Sequence, residues 1–141
     1  MAILEITPYL NFDGTATQAI ALYERALGAK TEHITRFGDM PAGATLDEAG
    51  KKRVMHALLR VGEALIMISD TPPDMSLTPG DNIHVLLEFD NEPEMAAKFQ
   101  ALSEGGTVTM PLQDTFWGAR FGMFTDTYGI RWMFNHTRPV E

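Results

Sequence analysis

The stretch TPPDMSLTPGDN, residues 71–82, holds three prolines and one glycine. Such a run cannot make a central strand or a helix interior, so it reads as a linker. The segments on its two sides are alike. Downstream, residues 82–89 predict a strand. Asn91-Glu-Pro-Glu94 then predicts a helix start, Met95, Phe99 and Leu102 supply an apolar face, and Gly105-Gly106 ends the run. Residues 107–112 predict a strand. A hairpin of residues 119–125 and 130–135 closes the segment across Asp126-Thr-Tyr-Gly129. Upstream, residues 4–12 predict a strand, with Pro8 marking an edge or a bulge. Thr15-Ala-Thr-Gln18 fits a capping box. Ala19, Ile20, Tyr23 and Leu27 recur at helical spacing, and Gly28 stops them. Residues 30–37 predict a strand and the polar, glycine-containing residues 38–52 a loop. Residues 53–61 and 64–69 predict a hairpin turning at Gly62-Glu63.

Both halves thus read strand, helix, strand, strand, strand. Asp13 matches Asp90 and Thr7 matches His84 at one common offset. Two copies of one unit are the simplest account. The expected fold class is α+β: two βαβββ modules forming curved, mixed or antiparallel sheets with helices on the outer face. The modules span residues 1–70 and 82–136, joined by the Pro-rich linker 71–81. The whole is read as a single domain, which suits a chain of 141 residues.

There are no cysteines, so disulfides, zinc–thiolate sites and cysteine nucleophiles are excluded. The formal net charge of -8 repels phosphate backbones and anionic lipid, which argues against nucleic acid and membranes as partners. No apolar stretch approaches the roughly 20 residues of a membrane span. MAILEITPYL lacks a basic region and a long apolar run, which predicts no signal peptide and a cytoplasmic protein. Ser69, Ser76 and Ser103 sit in no nucleophile elbow, and there is no phosphate-binding glycine loop.

The most aromatic window is DTFWGARFGMFTDTYGIRWMFN, residues 114–135. Alternation there separates Ile130, Trp132 and Phe134 from Arg131, Met133 and Asn135. Asp126 is placed to cap the turn through backbone N–H groups. Phe116 and Trp117 precede the strand beside Gly118, where side chains can lean over a cavity mouth or meet a second subunit. Arg120, inside an apolar cup, needs a partner. Asp114, Asp126, Glu88 and an anionic group on a ligand are the alternatives.

ALYERALGA (21–29) and FWGARFGMFTDTYGIRWMFN (116–135), with TPYLNFDG (7–14), VMHALLRVG (54–62) and LIMISD (65–70), resemble the vicinal-oxygen-chelate superfamily. That superfamily includes glyoxalase I, bleomycin-resistance proteins and extradiol dioxygenases, and the resemblance is strongest to its PhnB-like branch. It implies paired βαβββ modules and a homodimer. It also implies metal-ligand positions on the first and fourth strand of each module, here Thr7, Met67, His84 and Met133. Only His84 is a competent ligand for a hard divalent ion, because thioethers are soft and a hydroxyl is weak. The expectation is no metal and no cofactor. His84 and Glu88 share a strand face but lie roughly 13 Å apart, too far to chelate one ion. A methyl donor would need a glycine-rich loop between a parallel strand and a helix, and the strands read as antiparallel hairpins.

The leading expectation is a protein that binds a small, partly apolar organic molecule. Tyr9, Met67, Phe116, Trp117 and Met133 would form its walls, and His56, His84 and Arg120 its polar contacts. A second reading is a metal-dependent glyoxalase- or dioxygenase-type enzyme using His84 and a displaced ligand set. A third is a dimeric structural module without a ligand.

Overall fold

The computed structural model describes residues 2–139. The chain divides between Thr78 and Pro79 into two compact units, a break inside the proline-rich stretch. The first unit runs β1 (Tyr9–Phe12), α1 (Ala16–Leu27), β2 (Lys30–Arg36), α2 (Glu48–Lys52), β3 (Val54–Val61) and β4 (Ala64–Asp70). Its sheet order is β1-β4-β3-β2, with β1 parallel to β4 and the other pairs antiparallel. The second unit runs β5 (Val85–Glu88), α3 (Glu92–Ser103), β6 (Thr107–Asp114), β7 (Ala119–Thr125) and β8 (Arg131–Thr137). Its order, β5-β8-β7-β6, repeats the first, again with one parallel pair, β5 with β8. The two open sheets are therefore mixed, and the duplicated βαβββ unit read from the sequence is present. No helix among the described residues is long and apolar enough to cross a membrane.

Each helix covers one face of its own sheet. In the first unit Phe12, Ala57, Leu59, Ile66 and Ile68 are buried on the side where Ala19, Ile20, Tyr23 and Leu27 of α1 lie. Burying a side chain of this size contributes roughly 1.5–3 kcal/mol, so the period-two pattern of the strands fixes the register. In the second unit the ring of Phe99 meets Phe124 at 4.8 Å and Phe134 at 5.6 Å, edge-on in both cases. Gly122 makes that approach available, since a Cβ there would stand 2.8 Å from Cε2 of Phe99. Trp132 is fully buried and donates its indole N–H to Asp126 at 2.9 Å. The other Asp126 oxygen accepts from the N–H groups of Tyr128 and Ile130, as the turn sequence predicted.

Four local expectations are corrected. The capping box at Thr15 and Gln18 is absent: the Thr15 side chain makes no cap bond. The start of α1 is held from outside the helix. One Asp70 oxygen accepts from the N–H groups of Gly14 at 2.8 Å and Ala16 at 3.0 Å, and the other accepts from Val54 at 2.8 Å. The first strand begins at Tyr9 rather than Leu4, because Pro8 has no N–H for the ladder. The strand expected from Asn82 likewise begins only at Val85. Residues 38–52 are not a plain loop. They contain two 3-10 turns and α2, whose Asp47 cap accepts the Gly50 N–H at 2.7 Å.

Replacing Asp70 with Ala strands three backbone donors, two of them in buried bonds, and should cost at least about 3 kcal/mol in urea unfolding at neutral pH. Thr15→Ala should cost under about 0.5 kcal/mol, since its hydroxyl caps nothing. The opposite ranking would refute the external cap.

Candidate functional site

Alternation leaves each sheet a second face, turned away from its helix. In the first unit that face carries a row running across all four strands: Tyr9, Met67, Leu58 and His33 are successive register partners. Beside it lies His56, level with Thr35 on β2. The Tyr9 hydroxyl stands 3.4 Å from Nδ1 of His56, and the rings of His33 and His56 are 6.1 Å apart. Nε2 of His33 is 2.8 Å from the Thr35 hydroxyl. Asn11 and Ser69, paired at 3.2 Å, continue the face.

The second unit has the corresponding row. Leu86, Met133, Met123 and Met110 are successive register partners from β5 to β6. The next row begins with Glu88 and Asn135 and reaches Phe121. The Asn135 amide bonds both Glu88 oxygens, at 3.0 and 2.7 Å, and the Thr137 hydroxyl bonds one of them at 2.9 Å. His84 stands one residue before β5. The pairing with β8 starts one residue later, where Val85 meets Trp132.

Phe116 and Trp117 form the tip of the β6–β7 hairpin, closed by the Thr115 N–H on the Ala119 carbonyl at 2.8 Å and by Gly118 at φ 84. Phe116 is 96% exposed and Trp117 59%. Their rings meet edge-on at 4.9 Å, and Trp117 reaches within 6.5 Å of Phe121.

The structure therefore brings Tyr9, His56 and Met67 together on one open face. It puts Met133 on another, with Trp117 leaning toward it through Phe121, while His84 lies just outside the paired strand. Arg120 is not with them. Its register partner is His136, and it shares a strand face with Gly122 and Phe124, against α3. Its Nη1 binds Asp114 at 3.0 Å. The idea of Arg120 inside an apolar cup is corrected by alternation: it stands an odd number of residues from Met123, the partner of Met133. Sequence reading missed His33, Leu58, Met110 and Met123, and placed Arg131 beside Met133 without giving it a role. Alternation from Met133 exposes Arg131, and β7 exposes Met123. Nothing exposed His33 or Met110, because register shifts interrupt β2 and β6.

Arg120 belongs to a charged cluster at the start of α3. Arg138 binds Glu92 at 2.6 Å and Asp114 at 2.7 Å. Nδ1 of His136 lies 2.7 Å from the Phe89 carbonyl, and its Nε2 is 3.8 Å from Glu92. The hydrogen bond from Arg138 holds the Glu92 carboxyl below its ordinary 4.5. Arg138 first, then Arg120, hold Asp114 below 3.8.

The sequence profile of the Glyoxalase/Bleomycin resistance protein/Dioxygenase superfamily matches residues 6–134. The chain belongs to that superfamily. It is 33% identical to the protein YjdN of Escherichia coli strain K12, over 94% of this chain and 95% of that one. The crystal structure of PA1353 from Pseudomonas aeruginosa superposes with a TM-score of 0.85 at 39% identity, covering 97% of this chain and all of that one. A PhnB protein from Bacillus cereus, described as a putative 3-demethylubiquinone-9 3-methyltransferase, superposes at 0.76 with 24% identity, covering 94% and 99%. At that identity the likeness concerns the fold alone.

The superfamily implies a divalent metal, and the donor set here does not fit one. Two thioethers, a hydroxyl and one imidazole at Met67, Met133, Thr7 and His84 offer no carboxylate. Among the described residues no group of three His, Asp or Glu side chains is placed to hold an ion.

The Glu92 and Asp114 shifts have a signed consequence. Both carboxyls are depressed in the folded state, so their contribution is complete above the unfolded values and drains as pH falls through the folded ones. Arg138→Met should lower Tm at pH 7, and the gap from wild type should close on acidification below about pH 4.5. A gap that stays constant down to about pH 3 would remove the assignment.

Proposed function

We propose that the protein is a cytoplasmic, PhnB-like, small-molecule-binding member of the superfamily that has given up the metal site. The single observation behind this reading is the pair of corresponding rows on the open sheet faces. Where hard ligands would be needed, β4 and β8 present Met67 and Met133. Each lies in a half-open apolar row, Tyr9–Met67–Leu58–His33 and Leu86–Met133–Met123–Met110. Thioethers adapt to irregular apolar shapes, and a few polar groups such as His33, His56 and His84 give orientation. The ligand lies against such a face.

Elemental analysis after dialysis should find transition metal far below one per chain. A thermal-shift screen of aromatic and drug-like compounds should yield a ligand raising Tm by about 5–10 °C at about a hundredfold excess over Kd. Met67→Asp or Met133→Asp should abolish the shift for a ligand seated on that row. A stoichiometric, tightly held metal with activity lost on chelation would replace this reading with the enzymatic one.

We also propose that the working form is a homodimer, with the hairpin tip in the interface. A 96% exposed Phe116 stacked edge-on with Trp117 is the kind of aromatic anchor that dominates interfaces. Sedimentation velocity should show a dimer that shifts toward monomer in the Phe116→Ser, Trp117→Ser double variant. A wild-type monomer at micromolar concentration would end the idea.

A further inference from the structure

We infer that the open face of the second unit takes an organic anion, with Arg131 as the group that binds its charge. This rests on the binding reading above and narrows its ligand class. Arg53, Arg60, Arg120 and Arg138 each hold a carboxylate: Asp13, Glu32, Asp114, and Glu92 with Asp114. Arg60 is the arginine of the first unit's open face, and Glu32 neutralises it. Arg131 is the arginine of the second unit's open face, and among the described residues no carboxylate pairs with it. Its Nε donates to the Gly80 carbonyl at 3.1 Å. That bond uses one of five donors and fixes the orientation of the guanidinium plane.

A half-buried guanidinium without a counter-ion is unfavourable, and its terminal N–H groups form a planar fork that matches a carboxylate or sulfonate. His84, the residue just before β5, is the nearest imidazole in sequence to this end of the β5–β8 pair. One step along the face, roughly 7 Å away, lies the row of Leu86, Met133 and Met123. The geometry describes a molecule with an anionic head joined directly to an apolar body. Glu88 does not oppose this. It stands level with Asn135, roughly 13 Å along β8 from Arg131, and its oxygens are engaged by Asn135 and Thr137. The anion must enter against the chain's net charge of -8, so binding depends on this local cation and not on the overall field.

Two fluorescent dyes with the same naphthylamine body test the inference: 8-anilinonaphthalene-1-sulfonate and the uncharged N-phenyl-1-naphthylamine. Wild-type protein should bind both, the sulfonate more tightly, with an affinity that falls as salt rises. Arg131→Met should weaken the sulfonate about tenfold or more and leave the neutral dye within about twofold. Arg131→Lys, which keeps the charge but loses the planar fork, should bind the sulfonate with an affinity between those of wild type and Arg131→Met. Cooperative thermal unfolding of each variant guards against dye binding to loosened protein. Equal loss of both dyes would assign Arg131 a structural role through Gly80 and overturn the inference, as would no loss of either. Wild-type binding of the neutral dye alone overturns the inference and leaves the binding reading standing. Binding of neither dye sinks both.

Discussion

One helix cannot cover two faces of a sheet. Each unit of this protein owns four strands and a single long helix, so burial of one face leaves the other partly open. The helix side is closed by aliphatic packing around Tyr23 in the first unit and by the Phe99–Phe124–Phe134 cluster in the second. That packing fixes which residues point the other way. Tyr9, Met67 and Leu58, or Leu86, Met133 and Met123, have no freedom to turn inward, because a one-residue slip would expose the entire core. The character of the open faces is thus a by-product of core registry, and the choice of side chains there is free for recognition.

The two units show how a duplicated plan diverges without changing its topology. In the first, the last residue of β4, Asp70, supplies the carboxylate that ties the start of α1 to the start of β3. Helix α1 has no side-chain cap of its own. In the second, Asn91 caps α3 directly through the Glu94 N–H at 2.8 Å. The residue of β8 just past the end of the β5 pairing is then His136, which reaches the Phe89 carbonyl and Glu92. A local cap in one copy removes the need for a distant carboxylate, and charged groups around Arg138 occupy the position.

The repeated element order, the buried helix faces, the Asp126 turn and the inward aromatics Trp132 and Phe134 were legible from the sequence. Each rests on local periodicity or on turn chemistry. The Asp70 cap was not, because its partners lie far away in the chain, and the start of β1 after Pro8 and the short turns within residues 38–52 are local features that the reading passed over. At the candidate site the legible part was the alternation that sets Met133 apart from the buried Trp132 and Phe134. Arg120 was misassigned because its face was taken from the company it keeps in sequence; the count in steps of two from Met133 grouped Arg131 with it but gave that arginine no role. His33 and Met110 sit on strands whose register shifts destroy the count itself.

The row of Met133, Met123 and Met110 has a chemical consequence. A thioether on a half-open surface accepts a single oxygen atom from peroxide and becomes a sulfoxide, larger, chiral and strongly polar. Three such conversions along one strip would turn a greasy shelf into a wet one without touching the backbone ladder beneath. The fold would survive oxidative stress that its recognition surface does not, and enzymatic reduction of the sulfoxides would return the surface to its former state.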